Sequence, residues 1–260
     1  MSTESVAVHN QNAPLFAERY RLFSSNPHYN AFLYGRKCLF NWLWPFLGKR
    51  LPRGAKILEV GSGTGFLLAL LQEKGYQVVG LEPAERMREI AQLNSNGQIP
   101  IVAGTVTAIP FEANSFDAVI AMEVFRYLPD EEIIAGYREC WRALRPGGHL
   151  IVTLVNFWAL DGFYLYQKVS QLSAYLLRRP APVYCNFVTP GSITTLFEKQ
   201  FGTQNVTCYG TMLPFLRPVY MLSRQLGEFL ARRTERLDQL FSGRQWFNPV
   251  ASHLVVVIKK

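Results

Sequence analysis

The chain has 260 residues, 49% of them hydrophobic, and a formal net charge of +8. It can bury a full core, and one domain with insertions is expected. Its four cysteines, Cys38, Cys140, Cys185 and Cys208, lie far apart with no CxxC spacing, which argues against a disulfide framework and a zinc site. No run approaches the ~20 apolar residues that span a bilayer, and the N-terminus lacks the pattern of a signal peptide, so a cytoplasmic protein is expected.

Residues 1–54 carry 7 basic and 2 acidic side chains together with many aromatics, and FAERYRLFSSNPHYNAFLYGRKCLFNWLWPFL reads as a helical cover. His9 falls in a polar stretch expected to fray. KILEV is then a buried strand, GSGTG a tight turn, and Phe66 to Leu71 the apolar start of a helix. YQVVGLE, IPIVAGT, FDAVIAM and HLIVTLV are further apolar runs, separated by helical patterns at 84–93 and 130–144. RPGG before HLIVTLV reads as a turn, and His149 and His253, each opening a strand, read as structural. An aromatic insertion fills 157–189. A helix opened by Thr189-Pro190 follows, then a strand near 205–209, a helical insertion at 211–248 and a last strand at 253–258. Strands alternating with helices predict a mostly parallel sheet with crossover helices. Residues 55–156 hold 8 basic and 12 acidic side chains, so a mildly acidic core carries basic, aromatic appendages.

The turn ILEVGSGTGFLLALL selects its ligand by charge. A dinucleotide fingerprint needs a glycine where this chain has Phe66, and no Lys-Ser/Thr pair follows to make a phosphate-binding loop. Glu59, two residues ahead of Gly61, would repel a pyrophosphate and attract an ammonium group. Glu82, at the end of the second strand, can accept hydrogen bonds from both hydroxyls of a ribose. Together they specify a nucleoside with a cationic amino-acid tail.

With EVGSGTG, GLEPAERM, GTVTAIPFEANSFDAVIAMEVFRYLPD and LRPGGHLIV in order, the chain resembles the class I S-adenosylmethionine-dependent methyltransferases from roughly Phe16 to Lys260. Within them it is similar to the branch acting on quinones, sterols, glycolipids and other small molecules. The resemblance implies an α/β, Rossmann-like, doubly wound sheet of seven strands, mostly parallel with an antiparallel last strand. Residues 1–54 would form the helical cover and 55–260 the cofactor-binding domain, with helical insertions at 157–189 and 211–248. It also implies that Gly61, Ser62 and Gly63 approach the methionine part, that Glu59 organises its ammonium group, and that Glu82 holds the ribose. Pro83, Met87, Thr105 and Val106 would meet the adenine, with Thr105 standing where the family often has Asp, and Glu123 would line the reaction pocket. Polyprenyl-phenol O-methyltransferases have a second Glu and a His three and four residues after the first Glu; here Arg126 and Tyr127 stand there, so no metal is expected.

The expected reaction is methyl transfer, by orientation in a dry aromatic pocket, to a hydrophobic, anionic or lipid-like small molecule. The competing readings are an RNA or protein methyltransferase and a cofactor-binding protein with other chemistry. Tyr20, His28, Tyr34, Tyr127 and Asp161 are the candidate bases. DNA is not an expected partner and RNA is disfavoured. The arginines of 211–248 suggest peripheral contact with the inner face of a membrane.

Overall fold

The computed structural model describes residues 3–180 and 184–260. Two helices come first, α1 (Thr3–Ser25) and α2 (Ala31–Arg50), the second started by the Asn30 side chain, which accepts from the Leu33 N–H. The alternating core follows as β1 (Lys56–Val60), α3 (Phe66–Glu73), β2 (Gln77–Leu81), α4 (Glu85–Asn94), β3 (Ile101–Val102), β4 (Phe116–Ala121), α5 (Asp130–Ala143) and β5 (Leu144–Asn156). The remainder comprises α6 (Phe163–Leu176), β6 (Phe187–Val188), α7 (Pro190–Phe201), β7 (Val206–Thr211), α8 (Leu216–Leu222), α9 (Arg224–Phe241) and β8 (His253–Lys259).

The seven expected strands lie in the order β3-β2-β1-β4-β5-β8-β7, and β8 runs antiparallel to both its neighbours. β6, inside the segment read from sequence as helical, adds two residues beside the end of β5. β5 starts five residues before HLIVTLV: Leu144 pairs with Phe116, the ladder resumes at His149 opposite Ala118, and RPGG bulges out between them with Gly147 at φ 80°. Thr189 closes a capping box with Ser192 at the start of α7.

Each face of the sheet buries its own apolar layer, because the strands are hydrophobic on both sides. On one face Phe125, Tyr137 and Phe197 pack with Leu58, Val119 and Val256; on the other Leu43, Leu47, Leu68 and Leu71 pack with Ile57 and Ile120. Strand order reverses at β1, whose neighbours are β2 and β4, so a crevice opens at the carboxyl ends of β1 and β4. The N-terminal helices close over it: the Tyr20 ring stacks on Phe66 at 4.4 Å, and Phe23 meets Phe66 edge-on at 5.5 Å.

Candidate active site

The glycine turn leaves β1 and hooks onto β2. The Gly61 and Ser62 N–H groups both donate to the Leu81 carbonyl, at 2.7 and 3.2 Å. Glu82, next in chain, braces the same turn: one carboxylate oxygen accepts from the Gly63 N–H at 2.8 Å and the other from the Ala84 N–H at 2.9 Å. Each oxygen keeps lone-pair capacity for a further donor. Burial raises the Glu82 pKa, with the two backbone bonds opposing it. Gly63 sits at φ 54°, and a Cβ there would meet no protein atom within 4 Å, so its bare backbone faces open space.

That space is a cavity of about 530 Å³ between the turn and the N-terminal helices. Glu59 lines it. Burial pushes the Glu59 carboxyl well above its ordinary range; Arg36 pulls it down and Glu82 pushes it further up. One Glu59 oxygen, Ser62 Oγ and Thr64 Oγ1 are buried with no hydrogen-bond partner among the described residues. Unpaired polar atoms on a ligand-sized cavity indicate where a ligand's polar groups belong.

The opposite wall is a chain of charges. Glu123 holds φ 62°, a left-handed backbone that a non-glycine residue adopts at some cost. Its N–H donates to Thr153 Oγ1 at 2.7 Å, and that hydroxyl donates back to a Glu123 oxygen at 3.0 Å. Arg126 grips the other oxygen at 2.5 Å. Burial opposes the Glu123 carboxylate, but Arg126, His253 and Arg36 outweigh it and hold its pKa far below the usual range. Arg217 donates to His253 Nε2 at 2.9 Å and pairs with Asp161 at 3.2 Å. The His253 ring proton then sits on Nδ1, which faces Glu123 at 3.8 Å, and burial keeps the ring neutral by lowering its pKa.

Of the cofactor-side residues expected from sequence, the cavity brings together Glu59, Gly61, Ser62, Gly63, Glu82, Met87 and Glu123. Pro83, Thr105 and Val106 are not on its lining; Val106 is buried in the core and Thr105 hydrogen-bonds Thr107 at 3.1 Å. Of the candidate bases, Tyr20 and Tyr127 line the cavity, and burial raises both phenol pKa values. His28 instead meets Glu235 at 2.8 Å, Tyr34 donates a very short hydrogen bond to Asp238, and Asp161 lies behind Arg217. Among the described residues no cluster of three or more His, Cys, Asp or Glu could hold a metal, and Arg126 occupies Glu123.

Sequence reasoning missed Arg19, Arg36, Arg217, His253 and His9 as cavity residues. His9, expected to fray, sits in α1 with its ring 5.9 Å from Phe16 and 5.6 Å from Tyr127. His253 had a legible signal: the first residue of an antiparallel last strand lies at the carboxyl edge of its parallel neighbours, where ligands bind. His149 opens the ladder from the other end of β5 and is buried away from the cavity.

Residues 58–152 match the methyltransferase domain family. The chain is 32% identical over 146 residues to the ubiquinone biosynthesis O-methyltransferase of Xanthomonas axonopodis pv. citri, covering 55% of this chain and 60% of that protein. The protein of the same name from Leptothrix cholodnii is 31% identical over 121 residues, covering 45% of this chain and 50% of that one. The chain thus spans only 50% and 60% of the length of these two relatives. In fold it is similar to a SAM-dependent methyltransferase from Thermotoga maritima, with a TM-score of 0.60 at 21% identity, covering 96% of this chain and 98% of that one. An S-adenosylmethionine-dependent methyltransferase from Mesorhizobium loti gives 0.54 at 19% identity over 84% and 97% of the two chains.

Proposed function

We propose that this chain is a class I S-adenosylmethionine-dependent methyltransferase that transfers methyl groups to a hydrophobic, acidic or lipid-like small molecule, a reading its fold and matched domain support. The observation that carries the reading is one cavity holding two kinds of surface: a polar, partly unpaired floor and an aromatic, arginine-studded wall. The cofactor implied by fold and domain fits the floor. Glu59, with its unpaired oxygen, would hold the ammonium group, Arg36 the carboxylate and Glu82 the ribose. Met87, on the lining, is the first choice for the adenine contact; Pro83, Thr105 and Val106 come after it.

When bound, the cofactor supplies an electrophilic methyl group on a sulfonium. The chain's own work is to bind, orient and exclude water. Tyr20, Phe32, Phe40, Tyr127 and Phe163 give the acceptor an apolar wall, and holding it in line can contribute ~7–11 kcal/mol. Tyr20 and Tyr127, with raised pKa values, are poor bases at neutral pH. Arg126, whose buried Nε has no hydrogen-bond partner among the described residues, can still donate to an acceptor that already carries negative charge. The names of the relatives, O-methyltransferases of ubiquinone biosynthesis, support a hydroxyl acceptor with a hydrophobic body. A membrane-dissolved acceptor of that kind also supports peripheral membrane contact.

The test is S-adenosylhomocysteine release by purified protein offered prenylated phenols, long-chain aliphatic acids and RNA, with and without EDTA. Release is expected with a phenol or acid and is expected to survive EDTA, since Arg126 already neutralises Glu123. Release with RNA alone would contradict the reading, and loss on chelation that magnesium restores would contradict its metal-free form.

A further inference from the structure

Helix α6 is packed inside out. Leu165, Val169, Leu172 and Leu176, spaced four, three and four residues apart, form one helical stripe. That stripe faces solvent at 67%, 57%, 59% and 67% exposure, while Gln167 is buried on the inner side with Ala174. Water alone gives no reason for this orientation, since leaving such side chains solvated forgoes the stabilisation that burial would bring. Tyr166 and Tyr175, also on α6, widen the exposed face with rings that carry a polar tip.

Two further observations identify what covers it. Residues 162–197 contain no Asp or Glu, and Lys168, Arg178 and Arg179, the charged side chains there, are all exposed. Pairing this face with a second copy of itself would oppose cations with cations, whereas an anionic surface would complement them. The face also runs into the cavity mouth: Tyr166 of α6 and Met221 of α8 are each more than half exposed and both line the cavity. The Arg217 guanidinium, 4.6 Å from the Phe163 ring, joins the two helices there. Three arginines of α9, by contrast, are engaged within the molecule: Arg232 with Glu228 at 3.0 Å and Asn26 at 2.8 Å, Arg224 with Glu228 at 3.5 Å, and Arg233 over the Phe229 ring.

We infer that α6 docks in the plane of an anionic lipid bilayer, its aliphatic stripe in the acyl boundary and Lys168, Arg178 and Arg179 at the headgroups, so that the cavity opens onto the apolar layer. The purpose of this docking, entry of a bilayer-dissolved acceptor, rests on the proposed function; the docking itself does not.

Flotation of the full chain with phosphatidylcholine vesicles, and with vesicles also containing phosphatidylglycerol, tests it. Wild type is compared with Leu165→Gln/Val169→Gln/Leu172→Gln/Leu176→Gln and with Arg178→Ala/Arg179→Ala. The six side chains are exposed and off the cavity lining, so circular dichroism and S-adenosylmethionine affinity should not change. Wild type is expected to float with the anionic vesicles, the quadruple variant to partition at least about tenfold less, and the arginine variant to lose the salt-sensitive part. A wild type that does not float overturns the inference, as does a quadruple variant that floats equally. So does a wild-type dimer in sedimentation equilibrium that the quadruple variant converts to monomer. A protein that floats but transfers no methyl group refutes the proposed function alone; one that transfers but does not float refutes the docking alone.

Discussion

Among single residues, two carboxylates, Glu59 and Glu82, face the cavity with different partners. Glu82 is braced by two backbone N–H groups, so Glu82→Ala removes both its bonds to the turn and its reach to a ribose. The affinity for S-adenosylmethionine is expected to fall by ~1–3 kcal/mol in calorimetry. Gly63→Ala is the better probe of the turn, because at Gly61 a Cβ would strike Val124 Cγ2 at 2.5 Å and disturb the fold as well as the ligand. Glu59 gives a pH dependence with a definite sign. Its carboxyl is raised by burial, so the free protein holds a proton there above the ordinary carboxyl range, and a cationic ligand favours the ionised form. Binding should therefore release a proton and tighten as pH rises toward the raised pKa of the free protein, levelling off above it. Calorimetry in two buffers of different ionisation enthalpy measures it, and proton uptake would reverse the assignment. Glu59 and Glu82 were legible in sequence because they lie at fixed distances from a glycine turn; Arg36 and Arg217 were not, because helices far away in the chain deliver them.

At the element scale, α2 is anchored to the C-terminal insertion by a buried polar joint. Tyr34 donates to one oxygen of Asp238 while the Leu213 N–H donates to the other at 2.6 Å, and burial, opposed by these bonds, raises the Asp238 pKa to about 6. Tyr34 thus holds the cover in place and does not touch the cavity. Tyr34→Phe should lower the unfolding free energy by ~1–3 kcal/mol in chemical denaturation, because it strips a buried partner from Asp238. Cofactor affinity should not change; an affinity loss without a stability loss would place Tyr34 in the site after all. The strands β1, β2, β4 and β8 could be read from Val/Ile runs, whereas the inverted α6 could not. Helical periodicity identifies an apolar stripe without saying which way it faces, and only the buried Gln167 and the exposed Leu165 and Leu172 show that this one points outward.

At the scale of the whole molecule, the basic, aromatic appendages noted in sequence surround an acidic core, and the cavity forms where they meet. The N-terminal helices bring Tyr20 and Arg36, the insertion after β5 brings Phe163 and Tyr166, and the last insertion brings Arg217 and Met221. The matched family segment, residues 58–152, contains the residues proposed to hold the cofactor apart from Arg36, while most of the proposed acceptor wall lies outside it. No described helix is long and apolar enough to cross a membrane, and the docking proposed for α6 needs none. In the proposed function, one cavity joins a floor for the cofactor to a wall for a hydrophobic, acidic or lipid-like small molecule. The most direct test is to incubate the protein with methyl-labelled S-adenosylmethionine and a total cell extract, and to find the label by mass spectrometry. The expected result is label in a low-mass compound that partitions into organic solvent, reduced when Glu82→Ala replaces wild type. Label confined to RNA or protein, or no consumption of the cofactor, would contradict it.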